Sequence, residues 1–445
     1  MKLSQRIFWP LAYIIAPIAA FDLYYLDKHD AFLSGRSVGV LAGSFAFIWI
    51  LNQLIIAARP RPIEKGLGLD RMYRVHTLAA VVGMVLAIVH KQINDSWWEI
   101  GPSPSYLSLN LFLLVTVFSL LSMGSTSLQK LSFVKRLRYD SESRSRIRYQ
   151  TSKRLHNLFV IASIIAYIHI IRSSVVVDNL LLKAYFGLYL FLALSFYLFH
   201  KFIRPLILTK DPYLIREVIL ESDDVTTLRI TNEGMHRLNF RPGQFVFISI
   251  ESDAVDKEQH PFSISSSPDS ARTFQLTIRD LGDFTSRIRN VKPGDRAFIE
   301  GPYGAFTHLD QDPDEPLFLI AGGIGITPIL SMIHHLSRNR PTAHVHIIWC
   351  ARYRKDLIRY REVTDLQSVM PHLSLTPILS REFEWGGESG RISIHHLQPL
   401  ADRVRTELRG QFYICGPQGF MNEVKSLLHR LRVHRDHINY EEFSF

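Results

Sequence analysis

The amino-acid sequence predicts a multi-domain membrane protein, in which a six-helix transmembrane bundle is followed by an antiparallel β-barrel and then by an α/β domain. Long apolar runs dominate the chain as far as about Pro205. Short segments of alternating polar and apolar residues follow, which is typical of half-buried antiparallel strands. Apolar strands then alternate with helical stretches, which indicates a parallel sheet. The predicted domains are residues 1–205, 206–308 and 309–445.

Six apolar segments of the first domain are near the length that crosses a bilayer core of about 30 Å. Two of the connecting loops, 59–74 and 129–154, are strongly basic, and the others are not. Because basic loops stay on the cytosolic side, we expect a multi-pass protein of the cell membrane with both termini and the second half in the cytosol. Loop 129–154 is either a topology signal alone or also a docking surface for that half. The predicted spans are roughly 7–26, 36–58, 72–90, 106–127, 155–171 and 179–200.

Composition narrows the classes of function. The chain has 445 residues, is 47% hydrophobic and carries a formal net charge of +10. Much of the positive excess lies in loops beside apolar segments, so the expected partner is a lipid bilayer and not nucleic acid. With Cys350 and Cys415 as the two cysteines, a disulfide framework and a CxxC metal site are excluded. No small-residue cleavage site follows MKLSQR, so the first span is expected to be a retained anchor.

Two of the apolar spans each carry a pair of histidines. The third span contains His76 and His90, and the fifth contains His156 and His169. At about 1.5 Å and 100° per residue, the fourteen steps from His76 to His90 separate the rings by roughly 21 Å on one helix face. Both spans run from inside to outside. His76 and His156 therefore form a cytosolic level, and His90 and His169 form an outer level.

Paired neutral imidazoles at two levels predict two b-type haems, each held between two axial histidines. A hydrogen-bonded packing role is the alternative for a single ring, although an ionisable residue at this depth is a functional hypothesis by default. Zinc is disfavoured because no cysteine or carboxylate neighbours these rings. The thirteen steps from His156 to His169 leave a rotation of about 220° beyond whole turns, so on an ideal helix the two rings would not share a face. A local bulge, a tilt or differently rotated haems would be needed.

The clearest candidate site of the α/β domain is PLFLIAGGIGITPIL. A buried strand leads into Gly322, Gly323 and Gly325, and Thr327 is expected to cap a helix that has Pro328 at its first position. Glycines let the backbone approach a pyrophosphate at a helix N-terminus. The same turn also serves plain strand-to-helix packing, and the missing GK[ST] disfavours a kinase-type P-loop.

The strand after this turn ends in CARYRKD, where a site that prefers NAD often has an acidic residue. Arg352, with Arg354 or Lys355, would instead pair with a 2′-phosphate, which favours NADPH over NADH. Ordinary solvated charge is the alternative for Arg354 and Lys355.

The barrel contains two further candidate segments. DLGDFTSRI places Gly282, Asp283 and Thr285 at the start of a predicted helix, which is a second possible anion site. HPFSISS, which begins at His260, supplies an imidazole, an aromatic ring and hydroxyls in one extended run. An edge strand without function is the alternative for that run.

Together these motifs resemble a known family. HPFSIS, GDFT, GPYG, AGGIGITP, the YICGP turn and the C-terminal YEEFSF are similar to the ferredoxin-reductase-like flavin dehydrogenase module. With six spans and paired histidines added, nearly the whole chain resembles the ferric reductase/NADPH oxidase superfamily, in a short bacterial-type form. That family pairs its haem ligands with the same unequal spacing.

The resemblance implies roles for individual residues. FAD would be held by His260, Pro261, Phe262 and Ser263 and, at its phosphates, by Gly282, Asp283 and Thr285. The nicotinamide nucleotide site would be lined by Gly322, Gly323, Gly325, Thr327, Arg352, Cys415, Gly416 and Pro417. Phe443 would stack on the flavin where nicotinamide must enter, with Phe445 as the second candidate and an aromatic that closes the core as the alternative.

The activity implied is transfer of electrons from NADPH, or NADH, through FAD and two haems to an external acceptor. The expected acceptor is O2, giving superoxide, and a ferric chelate is the alternative. Arg36, at the outer start of the second span, matches an arginine that oxidase relatives place over the outer haem, but anchoring at the membrane interface explains it equally well. Asn94 stands where those relatives often have a histidine.

Two hypotheses from other classes compete with this activity. A haem-containing membrane subunit would feed a separate periplasmic reductase, but no sequence feature indicates an obligate protein partner. A nucleotide-sensing transporter would leave the four paired histidines without a purpose.

Overall fold

The computed structural model describes residues 9–28, 34–94, 103–122, 154–232, 234, 237–269, 272–407 and 409–441. The chain divides into two compact units, with the boundary between Pro205 and Leu206. Each unit has its own hydrophobic core, so the two are described separately.

The described part of the first unit is helical. Polar side chains fix two helix starts: Ser34 Oγ accepts the amide of Ser37 at 3.2 Å, and Asn179 Oδ1 accepts the amide of Leu182 at 2.8 Å. The helices that follow these starts have apolar residues around most of their circumference. The helices are α1 (Ala16–Lys28), α2 (Gly35–Ala57), α3 (Arg61–Leu67), α4 (Leu69–Asn94), α5 (Pro104–Ser122), α6 (Leu158–Arg172), α7 (Leu180–Leu198) and α8 (Arg204–Leu208), with π-helical turns at Leu11–Ile15 and Phe199–Ile203.

Helices cover the described parts of all six predicted spans. Four of them are long and apolar enough to cross a membrane: Gly35–Ala57, Arg71–Asn94, Arg154–Arg172 and Leu180–Leu208. Pro104–Leu120 is a shorter apolar helix. The predicted spans 7–26 and 106–127 both extend beyond the described residues.

A buried polar link ties three segments of this unit together. Asn52 of α2 donates to the carbonyl of Ala12 at 2.8 Å, and Tyr189 of α7 donates to Asn52 Oδ1 at 2.6 Å. Each polar atom of Asn52 therefore has a partner inside an otherwise apolar core, which avoids the cost of a buried unsatisfied amide.

The second unit begins with a six-stranded antiparallel sheet in the order β4-β3-β6-β1-β2-β5. A bridge between Ile264 and Leu276 joins the two ends of this order, so the sheet curls into the predicted barrel form. All six strands lie within residues 206–308, for which alternating polarity predicted antiparallel strands. They are β1 (Tyr213–Ser222), β2 (Val225–Thr231), β3 (Phe245–Glu251), β4 (His260–Ser263), β5 (Thr273–Arg279) and β6 (Arg296–Tyr303), with a short helix α9 (Asp283–Arg287).

A six-stranded parallel sheet completes the second unit, in the order β10-β9-β8-β7-β11-β12. Strands β8, β9 and β10 lie on one side of β7, and β11 and β12 lie on the other side. The switch point of the sheet is therefore between β7 and β11. Every residue of β7 is buried, as expected for a strand covered on both faces. The elements are β7 (Leu317–Gly322), α10 (Ile326–Asn339), β8 (Val345–Ala351), α11 (Tyr360–Asp365), β9 (Leu373–Leu379), β10 (Glu388–Ser389), α12 (Ile394–Glu407), β11 (Gln411–Cys415), α13 (Gln418–Arg430) and β12 (Ile438–Tyr440).

Candidate active site and histidine pairs

The glycine-rich turn lies at the switch point of the parallel sheet. β7 ends at Gly322, a 3-10 turn covers Gly323–Gly325, and α10 starts at Ile326. A Cβ at Gly325 would lie 2.3 Å from the carbonyl oxygen of Cys415, at the end of β11. Glycine is therefore required here for the two turns to pack, whether or not a ligand binds. Ligands of open α/β sheets bind at such switch points, beyond the carboxyl ends of the strands.

The predicted cap of this helix is wrong. Gly325, and not Thr327, is the N-cap, and Thr327 lies inside the first turn. Its hydroxyl donates to the carbonyl of Ile324 at 3.0 Å, so it accepts no helix amide as a cap would. The 3-10 turn starts the helical backbone early, which moves Pro328 from the first helical position to the third.

Arg279 links the barrel to the glycine-rich turn, although the sequence motifs did not single it out. It is the last residue of β5, and its Nε donates to Asp224 Oδ2 at 2.8 Å. Its Nη2 lies 3.7 Å from Asp356 Oδ1, in the turn after β8. Its Nη1 is 3.5 Å from the position of a Cβ on Gly323, where φ is +54°. A fixed guanidinium therefore lies beside the backbone that would approach a pyrophosphate.

The two candidate segments of the barrel come together. The His260 ring stacks on Phe284 of α9, with 4.0 Å between centroids and 26° between planes. Phe262 lies on the same ring more distantly, at 6.4 Å. Phe284, the aromatic of GDFT, was not predicted as a site residue. Thr285 Oγ1 accepts the amides of Leu281 and Gly282, both at 2.9 Å, so its own side chain already satisfies two of the amides expected to bind an anion.

Comparison with known proteins assigns this unit. Residues 212–307 match the FAD-binding domain family, and residues 319–426 match the oxidoreductase NAD-binding domain family. The second unit is an FAD- and NAD-binding oxidoreductase module.

Relatives of known activity match this module. The glycine betaine monooxygenase reductase subunit of Pseudomonas aeruginosa (strain UCBPP-PA14) is 32% identical over 224 residues, which cover 48% of this chain and 60% of that protein. NADH oxidoreductase HCR of Escherichia coli (strain K12) is 28% identical over 225 residues, covering 50% of this chain and 65% of the relative. The chain thus spans under two thirds of the length of these relatives. The solved FAD/NAD-binding domain of nitric oxide dioxygenase from Vibrio cholerae is 24% identical, with a TM-score of 0.47, and covers 52% of this chain and 97% of that structure.

In the oxidoreductase module, the cations after β8 differ in their surroundings. Arg354 donates from Nη2 to the carbonyl of Trp385 at 3.0 Å, lies over its ring and is near Glu382. Arg352 is exposed. Arg354 is thus held by neighbouring residues, whereas the side chain of Arg352 is open to solvent.

Cys415 and Glu441 form a buried pair at the end of β11. Burial, with a smaller contribution from Glu441, raises the pKa of the Cys415 thiol well above its ordinary value. A neutral thiol is a weaker nucleophile than a thiolate. The Glu441 carboxylate packs against Gly304 of GPYG, where a Cβ would approach both its oxygens to 2.8 Å. Gly416, with φ of +158°, and Pro417 continue this turn, whereas Phe443 and Phe445 lie outside the described residues.

The four predicted histidines of the first unit form the two predicted pairs. The ring centroids of His76 and His156 are 6.1 Å apart, and those of His90 and His169 are 6.3 Å apart. The planes of the rings are inclined by 52° in the first pair and by 74° in the second. The two rings of each pair are therefore inclined to one another and do not stack.

The second histidine-bearing helix is irregular at its start. Regular α-helix resumes only at Leu158, after a turn at Asn157 that separates His156 from α6. Two bonds of the i to i+3 type enclose this turn, from Asn157 to Arg154 and from Val160 to Asn157. Such tighter turns rotate by about 120° per residue instead of about 100°, so each tightened residue moves His156 by about 20° toward the face of His169.

Two of these rings have fixed partners at Nδ1. His90 Nδ1 lies 2.7 Å from the carbonyl oxygen of Gly39, and His156 Nδ1 lies 3.1 Å from Ser119 Oγ. Asn94 donates to the carbonyl of His90 at 3.1 Å. Arg36, an exposed residue, lies one helical turn before Gly39. Neither Gly39 nor Ser119 was predicted, because nothing in the local sequence marks a residue that contacts a histidine 37 to 51 positions away.

Proposed function

We propose that the protein transfers electrons from cytosolic NADPH, through FAD and two b-type haems, across a membrane to an external acceptor. The spacing of the two histidine pairs is the observation that carries this proposal. An imidazole nitrogen binds a metal at about 2 Å, and the ring centre lies about 1.1 Å further on, so two rings on opposite sides of one ion have centroids about 6.2 Å apart. The observed 6.1 and 6.3 Å agree with this value.

A tetrahedral zinc site fits the pairs less well. At a tetrahedral angle, two imidazoles on one ion would have centroids about 5 Å apart. Among the residues that the structure describes, no group of three or more His, Cys, Asp or Glu is placed to hold a metal ion. Two histidines without a third protein ligand would suit an ion whose remaining positions a macrocycle fills, as in haem.

The contacts at Nδ1 also fit axial ligation. Histidine ligands of metals commonly bind one partner with the second ring nitrogen, which fixes the tautomer and orients the ring. Gly39 provides such a partner for His90, and Ser119 provides one for His156. In both cases Nε2 remains as the nitrogen for iron.

The outer surface of the first unit supports a bilayer as its surroundings. Leu180, Leu181, Leu188 and Phe191 of α7 are 68–76% exposed, an apolar surface that water would disfavour. Four helices of sufficient length support the same surroundings. The basic loops 59–74 and 129–154 favour the orientation in which the oxidoreductase module is cytosolic.

In the oxidoreductase module, the residues of this chain bind and orient the two nucleotides. His260, Phe262 and Ser263 on β4, with α9, would hold FAD, while Arg279 and the glycine-rich turn would hold the pyrophosphate of NADPH. Arg352 would bind the 2′-phosphate. Bound FAD supplies the conversion of a hydride into single electrons, which bound haem relays.

The acceptor proposed is O2, which would leave as superoxide. Arg36 favours this product because an exposed guanidinium near the outer histidine pair attracts an anion. Reduction of ferric chelates is the second candidate, since a haem with two histidines transfers electrons to whatever reaches its edge. A subunit that feeds a separate periplasmic reductase is the third.

Optical spectroscopy of the purified full-length chain tests the proposal. NADPH added with FAD under anaerobic conditions should produce the bands of reduced b-type haem at two haems per chain. A protein that contains flavin but shows no band of reduced haem would contradict the electron-transfer proposal. Reduction of cytochrome c that superoxide dismutase suppresses, measured beside ferric-chelate reduction, then identifies the acceptor.

A further inference from the structure

Two glycines of α2, Gly39 and Gly43, lie against the ring of the outer histidine His90. The Gly39 carbonyl oxygen is 2.7 Å from His90 Nδ1, and a Cβ on Gly43 would lie 2.6 Å from the same nitrogen. We propose that Gly39 and Gly43 are positioning residues that fix the tautomer, the orientation and the reduction potential of the outer haem ligand. This inference rests on the proposed haem function.

The contact with Gly39 decides which nitrogen carries the proton. A carbonyl oxygen can only accept a hydrogen bond, so at 2.7 Å Nδ1 must be the donor. The side chain amide of Asn94 is 3.2 Å from the same nitrogen, but it already donates to the backbone carbonyl of His90. With the proton on Nδ1, the lone pair of His90 is on Nε2, which is the atom an iron would need.

Gly43 provides the space in which the ring takes this orientation. A Cβ there would be 2.6 Å from Nδ1 and 2.8 Å from Cε1 of His90, both shorter than any ordinary carbon contact. The ring would have to turn or move away, and either change breaks the bond to Gly39. The two helices also meet at Gly83, where a Cβ would have its nearest neighbour at an ordinary 3.5 Å.

The bond to Gly39 has a consequence for electron transfer. A donated Nδ1 proton makes the imidazole a more basic ligand. A more basic ligand stabilises ferric over ferrous iron and lowers the reduction potential of the haem. Because the acceptor is a backbone carbonyl, substitution of a side chain cannot remove it, whereas the partner of the inner His156 is the Ser119 hydroxyl.

Potentiometric titration of the full-length protein tests the proposal through Gly43→Ala. We expect the midpoint potential of the outer haem to rise. The ratio of reduced to oxidised iron at a fixed potential should increase about tenfold, which corresponds to about 59 mV for one electron. Gly83→Ala should leave both midpoints unchanged. Ser119→Ala should move the inner haem alone.

The outcomes separate this inference from the proposed function. Two haems in the wild type, with the same midpoints in Gly43→Ala and Gly83→Ala, would overturn the positioning role and leave the haem assignment intact. A wild type without haem would overturn the proposed function itself. If Gly43→Ala does not accumulate, electron–nuclear double resonance of the wild type should detect an exchangeable proton on Nδ1 of His90, and its absence would also contradict the proposal.

Discussion

The histidine pairs and the glycine-rich turn are constructed from different parts of the chain. Each histidine pair joins side chains about 80 residues apart, such as His76 and His156, on two separate helices. The turn at the switch point is formed mainly by backbone, because Gly325 and Cys415 pack through main-chain atoms. In the histidine pairs the candidate ligands are side chains. In the glycine-rich turn the candidate binding groups are main-chain amides, and the missing side chains leave room for a ligand.

This difference determines which substitutions each site tolerates. A histidine can be replaced without a steric clash, so its loss should remove a cofactor and leave the helices in place. A glycine that packs on backbone cannot gain a side chain without moving one strand end. The two sites should therefore fail independently, and substitutions can test this separation.

The largest effect is expected from His90→Ala. Removal of one of two axial ligands should lower the haem content from two to one per chain and reduce external electron transfer by at least about 100-fold. NADPH-dependent reduction of bound FAD should continue, because no residue of the oxidoreductase module is changed. Haem content and flavin reduction would be measured on the same sample, with the exposed His372→Ala as the control. Retention of both haems and of full external activity would show that the assignment of His90 to the outer level is wrong.

The reciprocal substitution is Gly325→Val in the oxidoreductase module. Its Cβ would lie 2.3 Å from the Cys415 carbonyl, so the turn must open and NADPH binding should weaken by about 100-fold, which is about 2.7 kcal/mol. The haem spectrum obtained with dithionite should stay unchanged. Gly419→Ala is the matched control, since nothing lies within 4 Å of its Cβ position. Loss of haem in Gly325→Val would show that the two sites do not fail independently.

Most strands and the histidine pairs could be predicted from the sequence because their signals are local or repeated. Alternating polarity predicted the antiparallel strands, and short apolar segments between helical stretches predicted β7, β8, β9 and β11. The short edge strands β10 and β12 were not predicted, since two or three residues carry no recognisable period. Thr327 was misassigned as a cap because the sequence does not distinguish a 3-10 turn from the start of an α-helix.

Contacts between segments that are distant in the chain could not be predicted from the sequence. Arg279 ends strand β5 and reaches a turn 44 residues later, and the Gly39 carbonyl accepts a hydrogen bond from a histidine on another helix. Neither residue has a local pattern that predicts its partner. The roles of His260, Ser263 and Asp283 toward FAD, and of Phe443 at its ring, remain predictions from resemblance.

The smallest expected effect distinguishes two neighbouring arginines of the nucleotide site. Arg352→Ala should raise the KM for NADPH about tenfold, since one charge-assisted bond to phosphate contributes about 1.5 kcal/mol. The KM for NADH should change little, because that nucleotide has no 2′-phosphate. Arg354→Ala, which removes the contacts with Glu382 and Trp385, should affect both nucleotides equally. Steady-state kinetics with each nucleotide measures the ratio, and equal changes for Arg352→Ala would assign the 2′-phosphate to another residue.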